Sequence, residues 1–141
     1  MVKATVIDAS AAAAWVIPDE ANDAAKQLFA HACLDDSGFS APTLWQWEMG
    51  NMLLQAQRRQ RIAAGAPELA LQTLALVQMQ FDPAPDLHRQ SQIMRLAQTH
   101  QLTYYDATYL ELVLRLNGQL ASRDDKLVAA ARTCGIVCLS F

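Results

Sequence analysis

The sequence is short of the features that would tie it to a membrane, a secretory route or a disulfide framework. Its three cysteines, Cys33, Cys134 and Cys138, are too few and too scattered to staple a fold. Cys134 and Cys138 lack the two-residue spacing of a zinc or redox pair and have no histidine near them in sequence, so all three are expected to be buried, unreactive thiols of a reducing cytosol. No apolar run approaches the roughly 20 residues that span a bilayer. The apolar stretch at residues 2–7 is too short for a signal peptide, and Asp8 interrupts it. These absences predict a soluble, cytoplasmic protein without a membrane partner. Charge is also scarce: 18% of residues are charged and the net charge is −3, so no strong field draws the chain to nucleic acid or an anionic surface. A glycine-rich phosphate loop, a GxSxG nucleophile elbow and an HExxH zinc motif are all missing.

Hydrophobic residues, in contrast, make up 52% of the 141 positions, enough for one domain to bury a core without covalent or metal support. The β-branched run at residues 2–7 reads as a buried strand ending at Asp8. A brief helix over 10–16 is halted by Pro18, and residues 20–33 form a helix with Ala25, Leu28, Phe29 and Ala32 on one face. Residues 39–41 give a second strand. A long helix then runs from Thr43 to about Ile62, with Thr43 and Gln46 spaced as a capping box. Further helices are expected over 68–79, 86–100 and 106–116, the last broken by Gly118, with strands near 80–82 and 119–121. Ser122 and Asp125 repeat the capping-box spacing before a helix over 125–132, Gly135 ends it, and residues 136–139 supply a last strand. Strands alternating with helices predict an α/β fold with a parallel sheet covered on both faces.

In such a sheet, ligands bind beyond the carboxyl ends of the strands, where strand order reverses. Asp8 and Asp124 both follow predicted strands, although an Asp there can equally cap the next helix. Glu48 sits among Leu44, Trp45, Trp47, Met49, Met52 and Leu53. A carboxylate in that company needs a charge partner, a metal or a route to water, and Asn51, three residues on, is placed to orient it. Asp106 opens a helix, where serving the macrodipole is its simplest role. Together the four acids suggest more, because clustered carboxylates repel unless protonated or bound to cations. Hard oxygen donors suit Mg²⁺ or Mn²⁺, which can activate water against a phosphodiester. His31, His88 and His100 stand isolated, and Trp15, Trp45 and Trp47 read as core before base-stacking platforms. Arg58, Arg59 and Arg61 close the long helix as a solvated cationic end or as contacts to an RNA backbone. Trp45 or Trp47, with Met49, widens that helix's apolar surface beyond one core-facing stripe and predicts a dimer or partner surface.

The chain resembles PIN-domain proteins, specifically the VapC-type toxins of toxin–antitoxin pairs. The resemblance runs through Val6-Ile7-Asp8-Ala9-Ser10, Trp15-Val16-Ile17-Pro18-Asp19-Glu20 and Ala41-Pro42-Thr43-Leu44-Trp45 into Glu48 and Asn51. It continues through Arg58-Arg59-Gln60-Arg61-Ile62, Leu102-Thr103-Tyr104-Tyr105-Asp106-Ala107-Thr108-Tyr109-Leu110 and Leu120-Ala121-Ser122-Arg123-Asp124-Asp125-Lys126-Leu127. It implies a three-layer α/β/α sandwich with a mainly parallel sheet and Mg²⁺- or Mn²⁺-dependent endoribonuclease activity. Asp8, Glu48 and Asp106 would hold the metal, Asp124 would position a second ion or water, and Ser10 and Ser122 would support the acids. Ser122 stands where relatives more often carry Thr. A metal-activated water would leave a 5′-phosphate and a 3′-hydroxyl. The implied partners are RNA, a VapB-like antitoxin and a second copy of the chain. Two other readings stay open: a catalytically silent PIN fold that binds RNA or protein, and an aspartyl-phosphate phosphotransfer domain. The second lacks its usual second acid, because position 10 is serine.

Overall fold

The computed structural model describes residues 3–139 and Phe141. Five short strands, β1 (Thr5–Ile7), β2 (Phe39–Pro42), β3 (Met79–Asp82), β4 (Gln119–Ala121) and β5 (Cys138–Leu139), form one sheet in the order β3-β2-β1-β4-β5. Every neighbouring pair is parallel. Val2, the expected first residue of β1, lies outside the described residues. Between the strands run α1 (Ala9–Val16), a 3₁₀ turn at Pro18–Glu20, α2 (Asp23–Ala32), α3 (Leu44–Arg58) and α4 (Ala66–Leu74). The second half supplies α5 (Leu87–His100), α6 (Tyr104–Arg115) and α7 (Asp125–Thr133).

Parallel strands need crossovers, and crossovers are almost always right-handed. The chain moves from β1 outward to β2 and β3, which puts α1 to α4 on one face. It then returns to β4 on the other side of β1 and continues to β5, which puts α5, α6 and α7 on the opposite face. The packing agrees: α1 lies against α2, α3 and α4, whereas α6 lies against α5, α7, β1 and β2. The result is the expected three-layer sandwich, with all five strands parallel. Its reversal point falls between β1 and β4, so the crevice for a ligand opens beyond Ile7 and Ala121. The central strand is buried at every residue, and Val6, Ile7 and Leu120 are fully enclosed.

Helix ends differ from the sequence expectations where side chains found better partners. Thr43 makes no capping bond, and α3 stops at Arg58 instead of Ile62. Gln60 adopts φ 59°, which turns the chain so that the Arg61 amide donates to Ala56 O at 2.8 Å and closes the helix end. The helix expected over 68–79 ends at Leu74 because Met79 pairs with Phe39 in the sheet. Gly118 does not supply the left-handed turn after α6; Asn117 does, at φ 51°. A Cβ on Gly118 would lie 2.5 Å from Ala4 O, so the glycine serves the close approach of β4 to β1.

Candidate active site

Asp8 follows the last residue of β1, and its backbone amide donates to Ala121 O at 3.1 Å. The residue is 4% exposed, and its carboxylate accepts three hydrogen bonds within the protein. Oδ1 accepts from the Ala11 amide at 3.0 Å and from Ser10 Oγ at 2.7 Å; Oδ2 accepts from Ser122 Oγ at 2.6 Å. Asp8 therefore caps α1 and also enters the crevice, so the two readings of the sequence are both met. Burial pushes its pKa above the usual carboxylate range, against these hydrogen bonds and with the repulsion of Asp124.

Ser10 and Ser122 knit this end of the sheet together. Ser10 Oγ accepts from the Arg123 amide at 2.9 Å, and Ser122 Oγ accepts from the Asp124 amide at 3.0 Å. The predicted Ser122–Asp125 capping box is not formed. The helix α7 begins at Asp125, so Asp124 is its cap and takes the Leu127 amide at 2.9 Å, while Ser122 Oγ accepts from the amide of Asp124 instead. Asp125 is exposed in the first turn of α7 and does not line the cleft.

Glu48 projects from α3 and Asp106 from the first turn of α6, where Thr103 caps the helix by accepting the Asp106 amide at 3.0 Å. Asp8, Glu48, Asp106 and Asp124 all line one cleft of about 270 Å³, with Ser10 and Asn51 at its walls. Four elements thus bring four acids to one opening. Burial raises the Glu48 pKa, and Asp106 and Asp8 add to that through repulsion, opposed by a hydrogen bond from Tyr109. Asp106 is pushed up to about 6, first by burial and then by the charges of Asp124 and Asp8. No ion pair involves any of the four among the described residues. Arg123, between Ser122 and Asp124, reaches instead to Glu20 at 3.7 Å. Nor are three acidic, histidine or cysteine side chains gathered at ligand spacing around one point among the described residues. The acids ring the cleft without closing on its centre. A larger cavity of about 550 Å³ lies between α5 and α6, but its walls, including Leu96, Leu114 and Arg95, gather no cluster of acids.

Several expectations change. Asn51 lines the cleft, yet the group that bonds Glu48 is Tyr109, whose OH donates to Oε1 at 2.6 Å. The sequence offered a signal for it: Asp106 and Tyr109 are three apart on one helix and so share a face. Arg58 and Arg59 end α3 exposed, as expected, but Arg61 lies beyond the helix. Its guanidinium is taken by Asp19, at 2.6 and 3.0 Å, and by Glu20 at 2.8 Å. Trp45 and Met49 are buried in the core, leaving Trp47, 74% exposed, and Leu54 as the exposed apolar residues of α3. Cys134 is not remote from histidine in space: its Sγ lies 3.6 Å from His100 Nε2, because α5 and α7 both pack on the α6 side of the sheet.

Comparison with known proteins agrees with this geometry. Residues 5–133 match the PIN domain family. The chain belongs to the PIN domain family. Ribonuclease VapC3 of Pyrobaculum aerophilum is 28% identical to this PIN domain over 126 residues, covering 86% of this chain and 90% of that protein. The crystal structure of PAE2754, also from Pyrobaculum aerophilum, shares the fold with a TM-score of 0.71. That match covers 98% of this chain and 90% of that one at 22% identity. No helix among the described residues is long and apolar enough to cross a membrane.

Proposed function

We propose that this PIN domain is a metal-dependent endoribonuclease, the toxin of a toxin–antitoxin pair, acting in the cytoplasm. The observation that carries the proposal is the convergence of Asp8, Glu48, Asp106 and Asp124 on one cleft at the sheet's reversal point, with no ion pair to any of them among the described residues. The donor set fits a hard divalent cation: all four groups offer oxygen, and three have their pKa raised by surroundings that disfavour the charged form. Asp8, Glu48 and Asp106 would hold Mg²⁺ or Mn²⁺, and Asp124 would position a second ion or the attacking water. A bound cation would supply a lowered water pKa and charge stabilisation on the phosphodiester.

The protein's own groups have separate tasks in this reading. Ser10, Ser122 and the Ala11 amide fix the Asp8 carboxylate, so no reorganisation is needed when substrate arrives. Asp106, pushed up to about 6, is protonated in part only below neutral pH, so a cation competes with a proton for it as pH falls. Arg58 and Arg59 are available to RNA phosphates, whereas Arg61 would first have to leave Asp19 and Glu20. The name Ribonuclease VapC3, borne by a relative that spans most of this chain, supports RNA as substrate and a VapB-like antitoxin as partner. Exposed Trp47 on α3, with Leu69 and Leu71 on α4, supports a protein partner or a second copy on that side.

Cleavage of an end-labelled RNA panel tests the proposal, with added Mg²⁺ or Mn²⁺ and with chelator. Cleavage that needs the cation and stops in Asp8→Asn, Glu48→Gln and Asp106→Asn is expected. Chelator-resistant cleavage, or full activity in all three variants, would overturn it.

A further inference from the structure

We propose that Tyr109 is a positioning residue that holds Glu48 in the cleft and so sets how tightly the cleft binds a divalent cation. The inference rests on the cation-binding reading above and assigns the task to one hydroxyl. Tyr109 is 1% exposed, and its ring is part of the central core with Ile7, Leu110 and Leu120. A phenylalanine ring would fill that space equally well. What distinguishes tyrosine is the OH, which reaches the wall of the acidic cleft and donates to Glu48 Oε1 at 2.6 Å.

A buried phenol needs an acceptor, and a backbone carbonyl or a water would serve at lower electrostatic cost. Here the acceptor is a half-buried carboxylate 61 residues away in sequence, on a helix from the other layer of the sandwich. The bond links α3 to α6 across the cleft. Glu48 is long and rotatable, and its own helix provides no bond to it among the described residues, although Asn51 stands nearby. Released from Tyr109, the carboxylate can swing to open water. Held by Tyr109, it keeps Oε1 anchored on the phenol and leaves Oε2 without a hydrogen bond among the described residues. Asp8, at the end of β1, is anchored by its serines in the same sense, so both acids are fixed by hydroxyls. Partners of this kind commonly set metal affinity as strongly as they set geometry.

Binding of Mn²⁺ alone, measured by calorimetry and electron paramagnetic resonance on the full chain without RNA, tests the inference. Tyr109→Phe should raise the Mn²⁺ dissociation constant about 10- to 100-fold. Its RNA cleavage should recover when Mn²⁺ is raised by the same factor, as a merely structural defect would not. In a Glu48→Ala background, Tyr109→Phe should change Mn²⁺ affinity no further, because the hydroxyl acts through Glu48. Should Tyr109→Phe fail to fold, 3-fluorotyrosine at position 109 keeps ring and hydroxyl while strengthening the donor. Unchanged Mn²⁺ affinity in that protein overturns the inference. Wild-type affinity in a folded Tyr109→Phe protein overturns the inference alone. A wild-type chain that binds no Mn²⁺ overturns the metal reading and this inference together.

Discussion

Two clusters of ionisable side chains share helix α6 and the carboxyl edge of the sheet, and they solve the problem of burial in opposite ways. Asp82, the last residue of β3, and Glu111 of α6 are each matched by arginines. Arg89 bonds Asp82 and lies 3.3 Å from Glu111; Arg115 bonds Glu111 at 2.8 Å and Asp82 at 2.7 and 3.2 Å. Two acids and two bases cancel. One turn and a half toward the start of the same helix, Asp106 faces Asp8, Glu48 and Asp124 across the cleft, and no base pairs with them among the described residues. Paired charges hold elements together, whereas unpaired like charges are tolerated where something from outside completes the balance. The first cluster therefore reads as architecture between β3, α5 and α6, and the second as a site.

The largest break in that contrast should come from Asp8→Asn. Removing one negative oxygen ligand is expected to lower RNA cleavage on the order of a thousandfold. The fold should survive, since asparagine also caps helices and the serine hydroxyls can rotate to meet an amide. Thermal melts without metal should show a melting temperature equal to or above that of the wild type, because a buried charge and its repulsion from Asp124 are gone. Loss of both fold and activity would reduce Asp8 to a structural cap.

Glu111→Gln should show the reverse signature. With its carboxylate almost fully buried, losing the charge leaves Arg89 and Arg115 sharing Asp82. The cost should be about 2–3 kcal/mol of stability, below the usual figure for a buried pair because Arg115 is a third exposed. Urea denaturation measures it, and cleavage by the protein that remains folded should be unchanged. An activity loss without a stability loss would merge the two clusters into one functional unit.

Acid titration sharpens the comparison further. Asp106 titrates at about 6 in the folded protein, above the ordinary carboxylate value of an unfolded chain. The folded state therefore binds the proton more tightly, and the stability linked to this group is complete below pH 4 and lost as pH rises through about 6. Asp106→Asn, melted without metal from pH 4 to 7.5, should gain stability relative to the wild type across that interval and level off above it. Saturating Mn²⁺ should shrink the gain. A difference that stays flat with pH would mean that Asp106 carries no electrostatic burden.

Arg61→Ala should have the smallest effect. Its pairs with Asp19 and Glu20 lie at the surface, where screening leaves them little energy. The melting temperature should hardly move. RNA affinity should also be unchanged if Asp19 and Glu20 keep this guanidinium from phosphate, and a salt-dependent loss of binding would show that Arg61 is released to RNA.

Local signals in the sequence determined the alternation of strands and helices and the two-sided burial of the sheet, while the four acids stood out as a set only through the family resemblance. Alternation and burial depend on periodicity and on neighbours within a turn or two, which a sequence displays directly. The caps were less legible. Ser122 and Thr43 have the right spacing for capping, but Thr43 makes no capping bond and α7 starts later than a Ser122 cap requires, with Asp124 as its cap; Ser122 instead joins Asp8 from 114 residues away. Tyr109 reads as core by composition, and only the packing of α6 beneath β1 and β2 brings its hydroxyl to Glu48. Local pattern alone does not separate Glu111 from Asp106, two acids on one helix five residues apart; only the family resemblance singled out Asp106. The tertiary structure decided that one would meet arginines and the other would meet acids, because charge balance depends on what the sheet order places alongside each residue.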